Sequence, residues 1–269
     1  MNRITFIGAG NMGSAMVGGL VKSNLVSAEN ITVANRGQDK LEKIKKEFGV
    51  GVTSSNRDAV KGADMVIFAV KPNMIKKVLE EVCGLIKDTA IIVSVAAGIT
   101  IEEIEEYLGY DKKIARVMPN TPALVGEAMS AIAVNNKVNE DDLEKIYKVF
   151  NSFGKAEIIE ENLMDAVVGL SGSGPAYIFM FMEAMADAAV LSGLQRDKAY
   201  KMVGQTVLGA AKMMLDSGKH PGQLKDMVCS PGGTTIAAVE VLEENGLRNA
   251  VIKGQLACVE KSKQMSKDK

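Results

Sequence analysis

Residues 3–16 read RITFIGAGNMGSAM, and the order of residue types in this stretch sets the architecture of the N-terminal half. An apolar run enters Gly8-Ala9-Gly10-Asn11-Met12-Gly13, and the helical pattern SAMVGGLVKS follows. Gly8 suits a tight turn, Gly10 lets the backbone approach a pyrophosphate, and Gly13 lets helix and strand pack closely. The helix N-terminus then presents unpaired N–H groups and a partial positive charge to the phosphates. The glycine spacing alone is a weak signal; a strand before it and a helix after it make it a dinucleotide cradle.

Beyond the cradle, apolar runs alternate with amphipathic helical patterns. Ile31–Arg36 (ITVANR), Ala63–Val70, Ala90–Gly98 and Lys113–Ala123 read as strands, and Asp39–Gly49 as a charged surface helix. Near-continuous apolar strands separated by helices mark a parallel sheet covered on both faces. Ser130–Asn136 and Ala156–Glu161 are expected to add edge strands, with a helix between them. After residue 161 strand signals stop, and helices are expected over Leu163–Gly193, Arg196–Gly218, Pro221–Val228, Thr234–Glu244 and Gly246–Lys263.

The expected fold is α/β: an N-terminal Rossmann-type doubly wound sheet over residues 1–161, then an all-α dimerisation domain over residues 162–269. Dimerisation is argued from PAYIFMFMEAMADAAVLSG, which is apolar on nearly every face. A helix of that kind belongs deep in a core. A second copy of the chain is a more economical cover than the chain's own sheet.

Composition narrows the function. Of 269 residues 47% are apolar, which describes a folded globular protein. Aromatics make up 4%, Trp is absent and Met reaches 16, so the core is aliphatic and Met-filled. A net charge of −1 without a long basic stretch argues against a nucleic-acid or acidic-membrane partner, and the closing KSKQMSKDK reads as a solvated tail. Cys83, Cys229 and Cys258 are too far apart for a metal motif or disulfide framework, which points to a reducing, cytoplasmic setting and no metal. The early apolar run reads as a first strand and not a signal peptide. Ala166–Met182 is interrupted by GLSGSGP and followed by Glu183 and Asp187, so no membrane span is expected.

The tip of the second strand carries Asn35-Arg36 where an NAD site usually places an acid for the ribose hydroxyls. A guanidinium pairs with a 2′-phosphate, so NADPH is expected over NADH, unless Arg36 is an ordinary exposed loop residue. Asn56 can add an amide contact at the adenosine end. Ala69-Val70-Lys71-Pro72 and Ala96-Ala97-Gly98 fall at the carboxyl ends of strands, where ligands bind in open parallel sheets. Lys71 suits a phosphate or ribose contact, or is simply a turn lysine.

A nicotinamide cofactor implies hydride transfer. Yet the chain has one histidine, His220, in a turn, and no obvious strong acid–base pair for a hydroxyl proton. A protonated C=N bond already carries positive charge, so an imine suits this poverty of acids better than a ketone. CSPGGTT, Cys229–Thr235, then reads as a second anion cradle. Its backbone N–H groups and hydroxyls can hold a carboxylate, with Thr234 or Thr235 beside the ring nitrogen. The plain alternative is a helix N-cap.

IGAGNMGSAM, AVKP, AAGI, MPNTPA, GLSGSGPAY, GAAKM and HPGQLKDMVCSPGGTTIAAVEVLE, in this order across the chain, resemble the Δ1-pyrroline-5-carboxylate reductase family. The resemblance implies NAD(P)H-dependent reduction of 1-pyrroline-5-carboxylate to L-proline, the last step of proline biosynthesis. It implies an interlocked helical dimer, with assembly to decamers common in the family. It further implies a substrate carboxylate held by the loop Ser230, Gly232, Gly233, Thr234 and Thr235, with the Thr235 hydroxyl near the ring nitrogen. Asn120, Thr121 and Pro122 would line the site near the nicotinamide. One departure is Gly218-Lys219 before the HPGQ turn, where some members carry an acid. The rival readings are reduction of a different cyclic imine or related carbonyl acid, and an NADPH-sensing protein without turnover.

Overall fold

The computed structural model describes residues 3–267. Eight strands form one sheet: β1 (Ile4–Ile7), β2 (Ile31–Ala34), β3 (Gly51–Thr53), β4 (Met65–Phe68), β5 (Ile91–Ser94), β6 (Lys113–Met118), β7 (Ala128–Val134) and β8 (Gly154–Ile158). Their spatial order is β3-β2-β1-β4-β5-β6-β7-β8. β1 to β6 run parallel, β7 is antiparallel to β6, and β8 is parallel to β7. The doubly wound sheet expected from the alternating runs is present.

Helices α1 (Asn11–Lys22), α2 (Gln38–Phe48), α3 (Asn56–Val60), α4 (Pro72–Val82), α5 (Ile101–Leu108) and α6 (Glu140–Asn151) connect the strands. All four residues of β4 are fully buried: Met65 and Ile67 join one core with Phe6, Met16 and Phe150, while Val66 and Phe68 join the other with Ile75, Leu79 and Ile92. Burial on both faces is why the strands read as unbroken apolar runs rather than alternating ones. Local chemistry sets the helix ends. Thr100 and Glu103 form a reciprocal capping box at α5, Asn139 accepts from the Asp142 N–H at α6, and α2 stops at Gly49 with φ +70°.

Two edges differ from expectation. β3 adds a three-residue strand that no apolar run marks. β7 and β8 each begin two residues earlier than the pattern suggested. The reason is Gly154, where an added Cβ would stand 2.1 Å from the Ala128 oxygen. The bare glycine lets the two strands close earlier. On β8 the Ala156 N–H is taken by the Asn151 side-chain oxygen at 3.0 Å.

After β8 the described chain is helical: α7 (Met164–Val167), α8 (Gly174–Leu191), α9 (Arg196–Ser217), α10 (Pro221–Val228), α11 (Thr234–Glu244) and α12 (Leu247–Lys267). The expected helix over Leu163–Gly193 is interrupted by a wide π-helical turn, Val168–Gly172, closed by the Ser173 N–H on the Val168 oxygen at 2.9 Å. This turn falls on the Gly/Ser run before Pro175, which has no N–H to continue a regular ladder. By length and composition the run Glu161–Leu191 could span a membrane, with a mean hydropathy of 1.2.

The chain separates into two compact units. One runs through Ser173 and takes the chain back from Cys258; the other is Gly174–Ala257. In the first, α12 is tied by Ser262 donating to Asp165 at 2.6 Å and by Cys258 against Ser173 at 3.1 Å. In the second, only Ala186, Ala199 and Val203 form a buried apolar core, where α8 packs on α9. Its large side chains lie open in the single chain: Phe179 is 63% exposed, Met180 70% and Leu215 75%.

Candidate active site

Because β1, β2, β4, β5 and β6 are parallel, their carboxyl ends form one edge of the sheet, and most of the expected cofactor residues lie along it. Gly8 turns there with φ +113°, and an added Cβ would stand 2.5 Å from the Ala69 oxygen. Gly13 is pinned in the same way, with 2.3 Å to the Gly8 oxygen. Gly10 is the opposite case, since nothing lies within 4 Å of its added Cβ. It forms the N-cap of α1 without any side-chain cap. The first-turn N–H groups at Asn11, Met12 and Gly13 therefore face an open cradle.

A cavity of about 280 Å³ adjoins this turn. It gathers Gly8, Ala9, Gly10, Asn35, Arg36, Asn56, Ala69, Val70 and Lys71 of the expected set. Asn11 lines a neighbouring cavity, Pro72 is the first residue of α4, and Ala96, Ala97 and Gly98 follow β5 at the same edge. Within the cavity Asn35 has a specific task. Its side-chain oxygen accepts the Ala9 N–H at 3.3 Å and its Nδ2 donates to the Gly37 oxygen at 3.2 Å. The amide thus braces the glycine turn against the tip of β2.

Sequence reasoning did not find six other lining residues: Ala34, Lys40, Met74, Lys77, Val78 and Glu81. The last four recur on one face of α4 at spacings of three and four, a signal present in the sequence. Arg36, Lys40, Lys71 and Lys77 form no ion pair among the described residues. Space beside Gly10, an uncapped helix end and four unpaired cations fit a phosphorylated dinucleotide.

The segment after β6 holds a surprise. Asn120 is 7% exposed; its Nδ2 donates to the Ser171 oxygen at 3.0 Å and its Oδ1 accepts the Met129 N–H at 2.9 Å. Both ends of the amide are engaged by main chain, so Asn120 pins the π-helical turn to β7. Thr121, exposed, and Pro122, half-buried, open the short turn Thr121–Val125 that follows.

In the helical unit, α11 begins after Gly233 with no side-chain cap. Gly232 takes φ +66°, and the Gly233 N–H closes on the Ser230 oxygen at 3.0 Å. The hydroxyls of Ser230, Thr234 and Thr235 have no partner among the described residues. This helix start is therefore not the ordinary side-chain cap that was the plain alternative. It leaves the first-turn N–H groups of α11 without a side-chain acceptor, in a segment that carries three hydroxyls. His220 caps α10 instead, its Nδ1 accepting the Gly222 N–H at 3.1 Å. No cluster of His, Cys, Asp and Glu suited to a metal ion occurs among the described residues.

Comparison with known proteins supplies the context. A family model described as pyrroline-5-carboxylate reductase dimerisation matches residues 161–265, and one described as NADP oxidoreductase coenzyme F420-dependent matches residues 3–98. The pyrroline-5-carboxylate reductase of Escherichia coli K12 is 49% identical, covering 98% of each chain. The solved structure of the Coxiella burnetii pyrroline-5-carboxylate reductase superposes with a TM-score of 0.91 at 39% identity over 98% of each chain. The Plasmodium falciparum pyrroline carboxylate reductase, solved with NADP bound, gives 0.89 at 35% identity, again over 98% of each chain. With 49% identity to such an enzyme over 98% of both chains, and with the same fold as the solved relatives, the chain belongs to the pyrroline-5-carboxylate reductase family.

Proposed function

We propose that this chain reduces the C=N bond of 1-pyrroline-5-carboxylate to give L-proline, the closing step of proline biosynthesis, with NADPH as reductant. The observation that carries the reading is 49% identity to a pyrroline-5-carboxylate reductase across 98% of the chain, supported by the uncapped starts of α1 and α11. When bound, NADPH supplies the hydride that makes the new C–H bond, while the C=N π pair withdraws onto nitrogen.

The residues of the chain do the positioning. The N–H groups at Asn11, Met12 and Gly13 hold the pyrophosphate. Arg36, assisted by Asn35 and Asn56, holds the adenosine end, with the guanidinium favouring a 2′-phosphate. Ala69–Pro72 and Ala96–Gly98 border the ribose and nicotinamide. Ser230, Gly232, Gly233 and Thr234 hold the substrate carboxylate at the start of α11, and Thr235, one residue further in, hydrogen-bonds the ring nitrogen as it becomes an amine. Thr121 and Pro122 line the nicotinamide side, and Asn120 acts by positioning them. Holding the two reactants together in this way supplies several kcal/mol of the barrier reduction.

The functional division follows residues 1–161 for cofactor and 162–269 for substrate and dimer. The exposed apolar faces of α8 and α9 support a dimer through the helical unit, and further assembly of dimers into a decamer accords with the family. The run Glu161–Leu191 is read as assembly interior, not a membrane span. Glu161 pairs with the buried Arg116 at 3.1 Å and caps the Ile101 N–H at 2.8 Å, and Asp165 accepts from Ser262. Three free cysteines accord with a cytoplasmic setting.

The test is NADPH oxidation with 1-pyrroline-5-carboxylate, wild type beside Thr235→Ala. Turnover by the wild type with a loss of about tenfold or more in the variant is expected from one charge-assisted hydrogen bond. A wild type that binds NADPH yet does not turn over this imine sinks the substrate assignment.

A further inference from the structure

We propose that Glu81 reads the purine base of the cofactor, selecting adenine over a 6-oxo purine. The inference rests on the cavity at the sheet edge being the adenosine end of the dinucleotide site. Val78 is buried and Met74 half-buried on the same face of α4, and with Val70 and Ala34 they give the cavity an apolar wall for a flat ring. Next to that wall the Asn56 Nδ2 donates to Glu81 Oε2 at 2.9 Å. Both side chains are half-buried, whereas the four cations of the cavity are exposed.

None of those cations pairs with Glu81, although all line the same space. A carboxylate present for charge balance would take one of them. Glu81 instead binds a neutral amide, and its Oε1 is left without a partner among the described residues. Its place is fixed further by Arg57, whose Nη1 donates to the Glu81 backbone oxygen at 3.1 Å. The result is an acceptor at Glu81 Oε1 beside a donor, the second N–H of Asn56 Nδ2.

Adenine presents the complement on one edge, where the 6-amino group donates and the neighbouring ring nitrogen accepts. Hypoxanthine puts an oxygen in place of that donor, so the carboxylate would face a second acceptor. The cations recognise phosphate; the Asn56–Glu81 pair recognises the base.

The experiment is equilibrium binding of NADP+, its hypoxanthine analogue and NAD+ by titration calorimetry, to wild type and Glu81→Gln. Thermal unfolding of both proteins checks the fold. Wild type is expected to favour NADP+ over the analogue by about tenfold. In Glu81→Gln, whose amide can donate to the 6-oxygen, that ratio should fall to near one while the NADP+ to NAD+ ratio stays at its wild-type value. Equal weakening of NADP+ and the analogue would overturn the proposal and leave Glu81 as a brace for Asn56. A change confined to the NADP+ to NAD+ ratio would also overturn it, placing Glu81 at the ribose. If wild type binds none of the three nucleotides, the reading of the cavity falls and the proposal with it.

Discussion

Arg36 and Ser130 show how different one residue's contribution can be. Arg36 is exposed and carries no ion pair among the described residues, so its removal should leave the fold alone. Arg36→Ala should raise the dissociation constant for NADPH by about tenfold while that for NADH changes little, as expected for one lost charge-assisted phosphate contact. An unchanged NADPH value refutes the assignment. Ser130 lies in β7 with no exposed surface, and its hydroxyl has no hydrogen-bond partner among the described residues. A buried unsatisfied hydroxyl costs about 1 kcal/mol or more, so Ser130→Ala should raise the melting temperature by roughly 2–4 °C. A lower melting temperature would mean that the hydroxyl is satisfied.

At the level of the element, α6 illustrates how charge is placed. Glu140, Asp141 and Asp142 occupy its first turn, where carboxylates complement the helix dipole. Burial pushes the Asp142 carboxyl up, but Lys113 at 2.6 Å and Lys145 at 3.0 Å outweigh it and hold the group below the usual aspartate value of 3.8. A depressed folded value means stability that is present above the unfolded value and disappears as pH falls through the folded one. Asp142→Asn should therefore destabilise the protein at neutral pH by roughly 1–3 kcal/mol, and the gap from wild type should close on acidification below about pH 4. A gap that is independent of pH would contradict the argument. Elements were also where the sequence was most readable. Unbroken apolar runs marked β1, β2, β4, β5 and β6 because both faces of each are buried, and Pro221, Thr234 and Gly218 marked helix ends by backbone chemistry. β3 escaped because a short edge strand has no buried face to leave a pattern. The inner wall of the cavity, Met74 to Glu81, escaped because its spacing is that of any amphipathic helix. The two-ended use of Asn35 and Asn120 escaped because an amide does not disclose which main-chain groups will come within reach.

For the whole molecule the decisive quantity is apolar surface. The helical unit keeps three buried apolar residues and exposes Phe179, Met180, Leu208 and Leu215. So much open apolar surface calls for a partner. Replacing Met180 and Leu215 together by Glu should shift the assembly to smaller species in sedimentation while NADP+ binding persists. An unaltered sedimentation profile would place the interface elsewhere. The division of the chain has a consequence in time as well. The sheet unit is left at Ser173 and rejoined only at Cys258, where Cys258 meets Ser173 and Ser262 meets Asp165. A ribosome delivers those closing residues after everything between them. The first unit to begin folding is thus finished only after the second has been made, and a nascent chain must hold its sheet unit incomplete while residues 174–257 are synthesised.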